Sequence, residues 1–375
     1  MLKLAIVVKE PPPYRIPVFN LIAGNPEISL QVIFCCRREP NRLWDLPPVA
    51  FDHVFLRERI RTVNGRYIHN NPDVLLALSR FRPDVVLGNG FNPTHLYAFA
   101  WTRLMRRAYI AMTDGTLQSE QSLSALHVGL RRYVYQRAGA FIAASQGGLA
   151  LYRSYQVPAA RCFRSCLAVD NTRFQPREPG AEKTWDFIVS GRLEAGKHPE
   201  FAMDVALQCA QSLGRRLTLL FAGSGSEEAA LRRRAKTLAH QLSVHFHGFA
   251  TQAELPDLYR SAKIFLFPTR ADVWGVVANE ACAAGLPVLV SPYAGVVGEL
   301  VVDEHNGYVR PLDIQAWTDC ALKLLKNSDR LQAMGERSLL LVKPYSFESA
   351  AEGIIDAAKA AHDFSADYAS VRRPV

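Results

Sequence analysis

The stretch that decides the fold is residues 265–299, FLFPTRADVWGVVANEACAAGLPVLVSPYAGVVGE. The apolar run 264–267 predicts a buried parallel strand, and the run 286–290 predicts the next strand. Between the two runs, a turn leads into an apolar segment with small residues, which predicts a helix that starts at Gly275. In a strand–turn–helix unit of this kind, the free N–H groups at the helix start form an anion site. We therefore expect a phosphate to bind at Gly275, Val276 and Val277.

Two carboxylates flank this helix start, eight positions apart. Asp272 lies before the helix, and Glu280 lies about a turn and a half inside it, so both can face one ligand at different depths. A phosphate at the helix start with a carboxylate close by suits a nucleotide whose ribose or sugar hydroxyls need acceptors. The expected ligand class is therefore a nucleotide.

The segment resembles the acidic signature of the retaining glycosyltransferases of family 4, also called glycosyl transferases group 1. That signature has two acidic residues with seven between them, followed by a Glu-Ala-small-small-Gly-Leu-Pro-Val run. Here the sequence is Asp272, then VWGVVAN, then EACAAGLPV from Glu280 onward. The family more often has Glu at the first position, so Asp272 reaches one methylene less far but keeps the charge.

Length and composition are those of an ordinary globular protein. A chain of 375 residues is long enough for two domains with sizeable cores, and its 49% hydrophobic and 21% charged residues are ordinary proportions. No apolar run approaches the roughly 18 residues that span a bilayer, and the N-terminus lacks the features of a secretory signal. We expect a cytoplasmic protein, with peripheral association at the inner face of the cell membrane as an open alternative.

The seven cysteines are scattered along the chain. Their odd number and the lack of a CxxC pair argue against a disulfide framework or a zinc site, and for buried thiols. The chain also has no Asp-x-Asp motif that would hold a metal ion. We therefore expect no metal and no cofactor, with the nucleotide sugar as a co-substrate.

The whole chain has a net charge of +9, and the positive charge is concentrated in its first half. Residues 1–170 contain 21 Lys and Arg against 11 Asp and Glu, whereas residues 171–375 contain 23 against 24. This asymmetry indicates an anionic partner for the N-terminal half, and an anionic lipid surface or a pyrophosphate-linked acceptor fits it. Nucleic acid is not expected, because the basic residues are spread out without the signature of a known nucleic-acid fold. A solvated basic face without a partner is the alternative.

Alternating strand and helix patterns predict the α/β class with two Rossmann-like domains. The resemblance implies that the two domains face each other in the glycosyltransferase B architecture. The predicted N-terminal, acceptor-side domain covers 1–174, and the predicted nucleotide-sugar-binding domain covers 175–345. By the resemblance, a C-terminal helix in 346–375 crosses back to the first domain. Residues 175–183 are the predicted linker, and residues 37–66 are predicted to include an irregular surface region.

The segment 190–197, SGRLEAGK, follows a predicted strand, and its Arg and Lys can both bind a diphosphate. It resembles the family's Gly-Arg-Leu…Lys-Gly element, whose cations neutralise the leaving nucleoside diphosphate. The resemblance therefore implies a catalytic role for Arg192 and Lys197. A mobile loop with two unrelated cations is the alternative.

The resemblance also implies the other donor contacts. Asp272 would bind the hydroxyls of the donor sugar or stabilise its anomeric carbon, and Glu280 would bind the ribose. Segment 248–249 resembles a Gly-Phe element whose backbone meets the nucleobase in the family. Together with glycines at strand ends, which let a backbone approach a ligand, it gives the candidates Gly191, Gly223, Gly248 and Phe249.

The acceptor-side candidates follow strands of the N-terminal half. The sequence around Tyr14 and Arg15, Pro-Tyr-Arg-Ile-Pro-Val-Phe, resembles a turn on the acceptor side in the family. Two further loops fall at the carboxyl ends of predicted strands, where doubly wound folds place ligands, and they contain His95, Asp114 and Glu120. Asp114 is the first choice for the base that deprotonates the acceptor, and an Asp that merely caps a turn is the alternative.

The resemblance implies a metal-independent, retaining hexosyltransferase that moves a sugar from a nucleotide sugar to a lipid-linked or glycan acceptor. Cell-surface polysaccharide biosynthesis, such as that of lipopolysaccharide, is the expected process. One alternative is a nucleotide-sugar epimerase or hydrolase of the same fold. Another is a non-catalytic, nucleotide-binding partner subunit.

Overall fold

The computed structural model describes residues 1–40, 46–63, 66–121, 123–176 and 183–371. The chain forms two compact units, one of Met1–Leu167 with the C-terminal helix from Phe347, and the other of Ala168–Ser346. Each unit is built around its own parallel sheet. The predicted α/β class with two Rossmann-like domains is therefore confirmed.

The described strands of the first unit are β1 Leu2–Val8, β2 Ile28–Phe34, β3 Asp52–Phe55, β4 Ile60–Val63, β5 Arg66–His69, β6 Val85–Asn89, β7 Ala108–Thr113, β8 Ala140–Ala143 and β9 Cys162–Arg164. Seven of them form a parallel sheet in the order β3-β2-β1-β6-β7-β8-β9, while β4 and β5 pair antiparallel to each other. The central strands are almost wholly apolar because helices cover both faces of the sheet. The strand order reverses between β1 and β6.

The described helices of this part of the chain are α1 Ile16–Ala23, α2 Val74–Phe81, α3 Pro93–Leu104, α4 Leu117–Glu120, α5 Ala125–Tyr135 and α6 Gln146–Ser154, with a short 3-10 helix at Ala159–Arg161. A proline occupies the first or second position of α1 and of α3. Proline suits this place because the N–H that it lacks would have no partner inside the helix.

The second unit has the described strands β10 Trp185–Ser190, β11 Leu217–Ala222, β12 Leu242–Gly248, β13 Ala262–Phe267, β14 Val288–Val290 and β15 Gly307–Val309. They form a parallel sheet in the order β12-β11-β10-β13-β14-β15, so the strand order reverses between β10 and β13. Its described helices are α7 Asn171–Phe174, α8 Pro199–Leu213, α9 Glu228–Thr237, α10 Leu255–Arg260, α11 Val276–Ala283, α12 Ile314–Leu325 and α13 Ser328–Val342, with a 3-10 helix at Ala195–Lys197.

The last helix, α14 Phe347–Val371, belongs to the first unit, where it packs on α1 and on strands β7, β8 and β9. Helix α14 lies close to the end of β9 at Gly353, where a Cβ atom would lie 1.6 Å from the carbonyl oxygen of Arg164. An ion pair of 2.6 Å joins Lys359 of α14 to Glu27.

The first unit ends at Leu167, seven residues before the predicted boundary at 174. The intervening residues pack within the second unit. The Phe174 ring meets the Tyr259 ring edge-on at 5.8 Å, and the Asn171 amide donates to the carbonyl oxygens of Val342 and Tyr345 at 3.2 Å. The predicted linker falls largely on residues 177–182, which lie outside the described residues.

The segment 37–66, predicted to include an irregular surface region, also contains β3, β4 and the beginning of β5. Residues 41–45, 64 and 65 lie outside the described residues. Strand β3 is at the edge of its sheet, and β4 belongs to a separate pair. Strands at such places are partly exposed, so they keep polar side chains and lack the apolar run that marks a central strand.

Among the residues that the structure describes, no helix combines the length and the apolar character needed to cross a membrane.

Candidate active site

The candidate site of the second unit lies where β10 and β13 end, the place at which the strand order reverses. Doubly wound sheets bind ligands in the crevice at this point, because adjacent loops leave the sheet in opposite directions. A cavity of about 60 Å³ is found there. Its lining includes five of the residues predicted to contact the donor, namely Gly191, Arg192, Lys197, Asp272 and Val277.

The helix start beside this cavity depends on Gly275, which has a φ of 103°. A Cβ atom at this position would lie 2.4 Å from the ring of Phe267, so both the backbone angle and the available space require glycine. From this turn the chain enters α11, whose first N–H groups have no acceptor inside the helix. The N–H groups of Val276 and Val277 lie in this first turn, where the sequence predicts that an anion binds.

Lys197 and Asp272 form an ion pair on the cavity wall. The ammonium nitrogen lies 2.6 Å from one carboxylate oxygen of Asp272 and 3.5 Å from the hydroxyl oxygen of Thr269. The two charged side chains are 28% and 22% exposed, so the pair is accessible to a ligand in solution.

The backbone holds Asp272 in place. Its N–H donates to the carbonyl oxygen of Tyr293 at 3.1 Å, and its carbonyl oxygen accepts from Gly295 at 2.9 Å. The carboxylate oxygen that is not paired with Lys197 accepts the N–H of Trp274 at 3.2 Å. The indole of Trp274 is buried and donates to the side-chain oxygen of Asn279 at 2.8 Å. Hydrogen bonds to the backbone and to the carboxylate therefore hold Asp272 on the cavity wall.

Arg192 occupies the other side of the cavity and is half exposed, with its guanidinium 2.8 Å from a carboxylate oxygen of Glu194. Its loop runs beside the loop that follows β11, because the N–H of Gly191 donates to Ala222 at 3.0 Å. A Cβ atom at Gly223 would lie 1.9 Å from the Gly191 carbonyl oxygen. The structure thus shows a packing reason for Gly223, the close approach of the two loops.

Glu280 is placed differently from the other donor candidates. It is buried in α11 and accepts a hydrogen bond of 2.8 Å from the hydroxyl of the fully buried Tyr259. Burial raises the pKa of the Glu280 carboxyl to about 7, although the hydrogen bond from Tyr259 acts in the opposite direction. The cavity lining includes Asp272 but not Glu280, which lies deeper in the unit.

Gly248 and Phe249 lie at the carboxyl end of β12. Gly248 forms an isolated bridge with Gly223, and the Phe249 ring is 48% exposed. Both residues are at the ligand-binding edge of the sheet, but neither lines the cavity between β10 and β13.

In the first unit, Arg15 is buried and acts as a structural connector. Its guanidinium donates to the hydroxyl of Ser165 at 2.8 Å, to the carbonyl of Cys166 at 3.2 Å and to a carboxylate oxygen of Asp114 at 3.2 Å. Tyr14 beside it is partly exposed. Asp114 is 26% exposed, so Arg15 holds an accessible carboxylate at the end of β7.

His95 is fully buried in the first turn of α3, with its ring against Gly90. Burial lowers the pKa of His95 to about 3, so the imidazole is neutral at physiological pH. A side chain without exposed surface does not contact an acceptor in this conformation. Glu120 is likewise engaged within the unit, since it lies 2.6 Å from the Arg131 guanidinium and accepts from Tyr155 at 3.2 Å.

Sequence reasoning missed Tyr259 and a buried polar group of the first unit. In that group, His69 Nε2 lies 2.8 Å from Glu39, whose N–H donates to Glu10 at 2.7 Å. Glu10 and Glu39 follow β1 and β2, so their places after predicted strands were a usable signal. Tyr259 gave no such signal, because its partner Glu280 is 21 residues away. In the described part of the chain, no three metal-ligating side chains are grouped closely enough to hold an ion.

The sequence of the second unit is similar to that of known proteins. Residues 170–340 match the family described as glycosyl transferases group 1. The D-inositol 3-phosphate glycosyltransferase of Nocardia farcinica is 30% identical over 207 residues, which cover 51% of this chain and 46% of that protein. The mannosylfructose-phosphate synthase of Agrobacterium fabrum is 28% identical over 158 residues, which cover 40% of this chain and 35% of that protein. The chain thus spans less than half the length of these relatives.

Solved structures share the fold. The structure of Anabaena HepE in complex with UDP matches with a TM-score of 0.74 and 14% identity, over 96% of this chain and 100% of that chain. The structure of WaaG, a glycosyltransferase involved in lipopolysaccharide biosynthesis, matches with a TM-score of 0.66 and 17% identity, over 94% and 98% of the two chains. The family resemblance seen around Asp272 is confirmed by the family model, which residues 170–340 match.

Proposed function

We propose that this chain is a metal-independent, retaining glycosyltransferase that takes its sugar from a nucleotide sugar bound by the second unit. The observation that carries the proposal is the cavity between β10 and β13, where Lys197, Arg192 and the start of α11 adjoin one space. Cations and free N–H groups around one cavity are suited to a diphosphate. Structures of Anabaena HepE with UDP and with UDP-glucose share the fold, which supports this ligand class.

The proposed chemistry follows from the charge that the reaction creates. When the bond between the sugar and the diphosphate breaks, negative charge develops on the departing phosphate, and Lys197 and Arg192 stabilise it together with the N–H groups of α11. Because these groups are already positive, they take the part that a divalent cation has in other enzymes. Asp272 lies beside them and binds the hydroxyls of the sugar or stabilises the anomeric carbon. Glu280 binds the ribose.

The first unit is proposed to bind the acceptor. Asp114 is the proposed base, because it is accessible and held by Arg15 at 3.2 Å. The excess of Lys and Arg over Asp and Glu in residues 1–170 suits a lipid-linked acceptor with a diphosphate, or a glycan presented at an anionic membrane surface. The fold shared with WaaG, a glycosyltransferase involved in lipopolysaccharide biosynthesis, supports a part in cell-surface polysaccharide or lipopolysaccharide biosynthesis. We propose a cytoplasmic protein that associates peripherally with the membrane.

A thermal-shift screen of UDP, GDP, ADP and their glucose and mannose conjugates tests the proposal. A ligand at a hundredfold excess over its Kd adds about 2.7 kcal/mol of stability, which shifts Tm by several degrees. We expect Arg192→Ala to abolish the shift for the same nucleotide. Arg216→Ala is the matched control, because Arg216 is an exposed arginine at the opposite end of the sheet, just before β11.

The outcomes separate the alternatives. If no nucleotide changes Tm, the transferase proposal and the nucleotide-binding partner are both excluded. If a nucleotide binds and the sugar nucleotide is consumed equally fast without an acceptor, the protein is an epimerase or hydrolase of the same fold. Transfer to an undecaprenyl-diphosphate-linked sugar, with loss of transfer in Asp114→Asn, would support the acceptor assignment.

A further inference from the structure

The ion pair between Lys197 and Asp272 involves two groups to which the proposed function gives separate ligands. Lys197 is to bind the diphosphate, and Asp272 is to bind the sugar. In the structure their charged atoms are 2.6 Å apart, within hydrogen-bonding distance. A diphosphate that binds Lys197 must therefore compete with Asp272 for the same ammonium group.

The two partners differ in freedom to move. Asp272 is fixed by backbone hydrogen bonds to Tyr293 and Gly295 and by the N–H of Trp274 on its second carboxylate oxygen. Lys197 has a four-carbon stem with rotatable bonds, and its other polar contact is a long one, 3.5 Å to Thr269. The lysine is thus the partner that turns toward a phosphate, and the carboxylate is the partner that stays.

When the Lys197 ammonium turns toward the phosphate, Asp272 loses its counter-ion. Its carboxylate is then partly desolvated and lies near the negative charge of the diphosphate. A sugar attached to the diphosphate compensates for this loss, because its hydroxyls donate to the carboxylate. A nucleoside diphosphate alone has no such hydroxyls, so its phosphate faces an uncompensated carboxylate. The unfavourable term therefore falls on the product and not on the substrate.

Resting on the proposed function, we infer that Asp272 makes the site discriminate between the nucleotide sugar and the nucleoside diphosphate that remains after transfer. The carboxylate weakens product binding through Lys197 and so favours product release. The pair between Arg192 and Glu194, at 2.8 Å, does not have this property, because both side chains are about half exposed and Glu194 does not line the cavity.

The test is a double-mutant cycle on nucleotide binding, measured by calorimetry. UDP, GDP and ADP, and separately their glucose or mannose conjugates, are titrated into the wild type, Asp272→Asn, Lys197→Ala and the double variant. We expect Asp272→Asn to bind the nucleoside diphosphate about fivefold more tightly, the upper range for a partly exposed ion pair. Binding of the nucleotide sugar should improve less, because asparagine also loses part of the sugar contact.

The Lys197→Ala background shows whether the effect passes through the lysine. If Asp272 acts by competing for Lys197, Asp272→Asn has less than half its effect there. A tightening that persists in full would mean simple charge repulsion and would overturn the inference, as would unchanged or weaker product binding by Asp272→Asn. Asp319→Asn, an equal charge change on the exposed face of α12, should leave all affinities unchanged.

Failure of the inference and failure of the proposed function give different results. If the wild type binds none of the nucleotides, the proposed function itself is wrong. If it binds them, and the cycle shows no coupling between the two residues, only the discrimination by Asp272 is wrong. Because an altered fold could also change affinity, the Tm of each variant without ligand is measured, and Asp272→Ala repeats the experiment with a second side chain.

Discussion

The two sheets reverse their strand order at equivalent points, but they treat the charged side chains there in opposite ways. In the second unit, Lys197 and Asp272 stand on a cavity wall and are 28% and 22% exposed. In the first unit, the guanidinium of Arg15 is buried, and it bonds to Ser165 and Cys166 behind the sheet edge. Each unit has an ion pair at this edge of its sheet, yet only the pair of the second unit has both partners accessible.

This difference indicates a division of labour within one type of fold. A buried arginine with several acceptors cannot leave them without a large loss of stability, so it positions other groups. An exposed lysine with one close partner can exchange that partner for a ligand. The candidates of the first unit therefore divide into a positioning residue, Arg15, and an accessible one, Asp114.

Replacing Arg15 by alanine is expected to have the largest effect on stability. The change leaves a carboxylate and two buried carbonyls without their donor, which costs roughly 3–5 kcal/mol. The matched change Lys197→Ala should cost no more than about 1 kcal/mol, because its ion pair is exposed. Urea unfolding followed by circular dichroism measures both. Equal losses of stability would show that Arg15 and Lys197 do not differ as a buried positioning residue and an exposed, exchangeable one.

Replacing Lys197, which should affect stability little, is expected to have a large effect on catalysis. Loss of one preformed positive group at a developing negative charge lowers kcat by roughly 100- to 1,000-fold. We therefore expect Lys197→Ala to keep its fold and lose activity by this factor, measured as sugar transfer with radiolabelled nucleotide sugar. Lys263→Ala is the control, since this lysine pairs with Asp186 at 2.9 Å away from the cavity lining. A tenfold or smaller loss would remove Lys197 from the reacting centre.

The comparison also shows which parts of the molecule sequence patterns could predict. The central strands and the start of α11 were predictable, because buried parallel strands are apolar throughout and a glycine marks the turn at Gly275. Arg192, Lys197 and Asp272 were each singled out in a segment that follows a predicted strand. The structure brings them to one cavity because the ends of the neighbouring strands β10 and β13 meet at one edge.

Burial of polar side chains was not predictable from the same signals. The positions of His95 and Arg15 after strands suggested accessible groups, but both are buried by elements distant in sequence, such as Ala350 of α14, whose carbonyl binds Ser165. Edge strand β3 was missed because exposure keeps it polar. The partner of Glu280, Tyr259, comes from another helix, and no spacing rule links the two.

Glu280 extends the comparison of buried and exposed charged side chains. It is buried like Arg15, but it belongs to the second unit and lies next to the cavity region. Its pKa is raised to about 7, so the folded protein binds a proton that the unfolded chain, with a carboxyl pKa of about 4.3, has already released. This contribution to stability is complete at low pH and is lost as pH rises toward 7 and above.

We therefore expect Glu280→Gln to be more stable than the wild type at pH 8 and to lose this advantage at pH 5. Tm measured from pH 5 to pH 8 for both proteins gives the comparison. Glu228→Gln, on the partly exposed surface of α9, serves as the control and should show no such crossing. A constant difference between wild type and Glu280→Gln would mean that Glu280 is charged throughout and that its environment resembles the open cavity.

A small difference in stability is expected between variants of two glycines of the second unit that share a positive φ but differ in surroundings. Gly275 has a φ of 103° and the Phe267 ring within 2.4 Å of a Cβ atom, whereas Gly248 has a φ of 83° and no neighbour within 4 Å. Gly275→Ala adds a clash to backbone strain and should cost about 2–3 kcal/mol, while Gly248→Ala should cost about 1–2 kcal/mol. Chemical unfolding measures both losses of stability. Nucleotide affinity, measured on the same variants, shows whether a variant also displaces the groups that bind the ligand.

Because Gly275 sets the direction of the first N–H groups of α11, its variant should also weaken diphosphate binding in proportion to the displacement of the helix start. Wild-type nucleotide affinity in Gly275→Ala would show that the helix start does not contact the phosphate, and the positive charge of Lys197 and Arg192 would then have to hold the ligand alone.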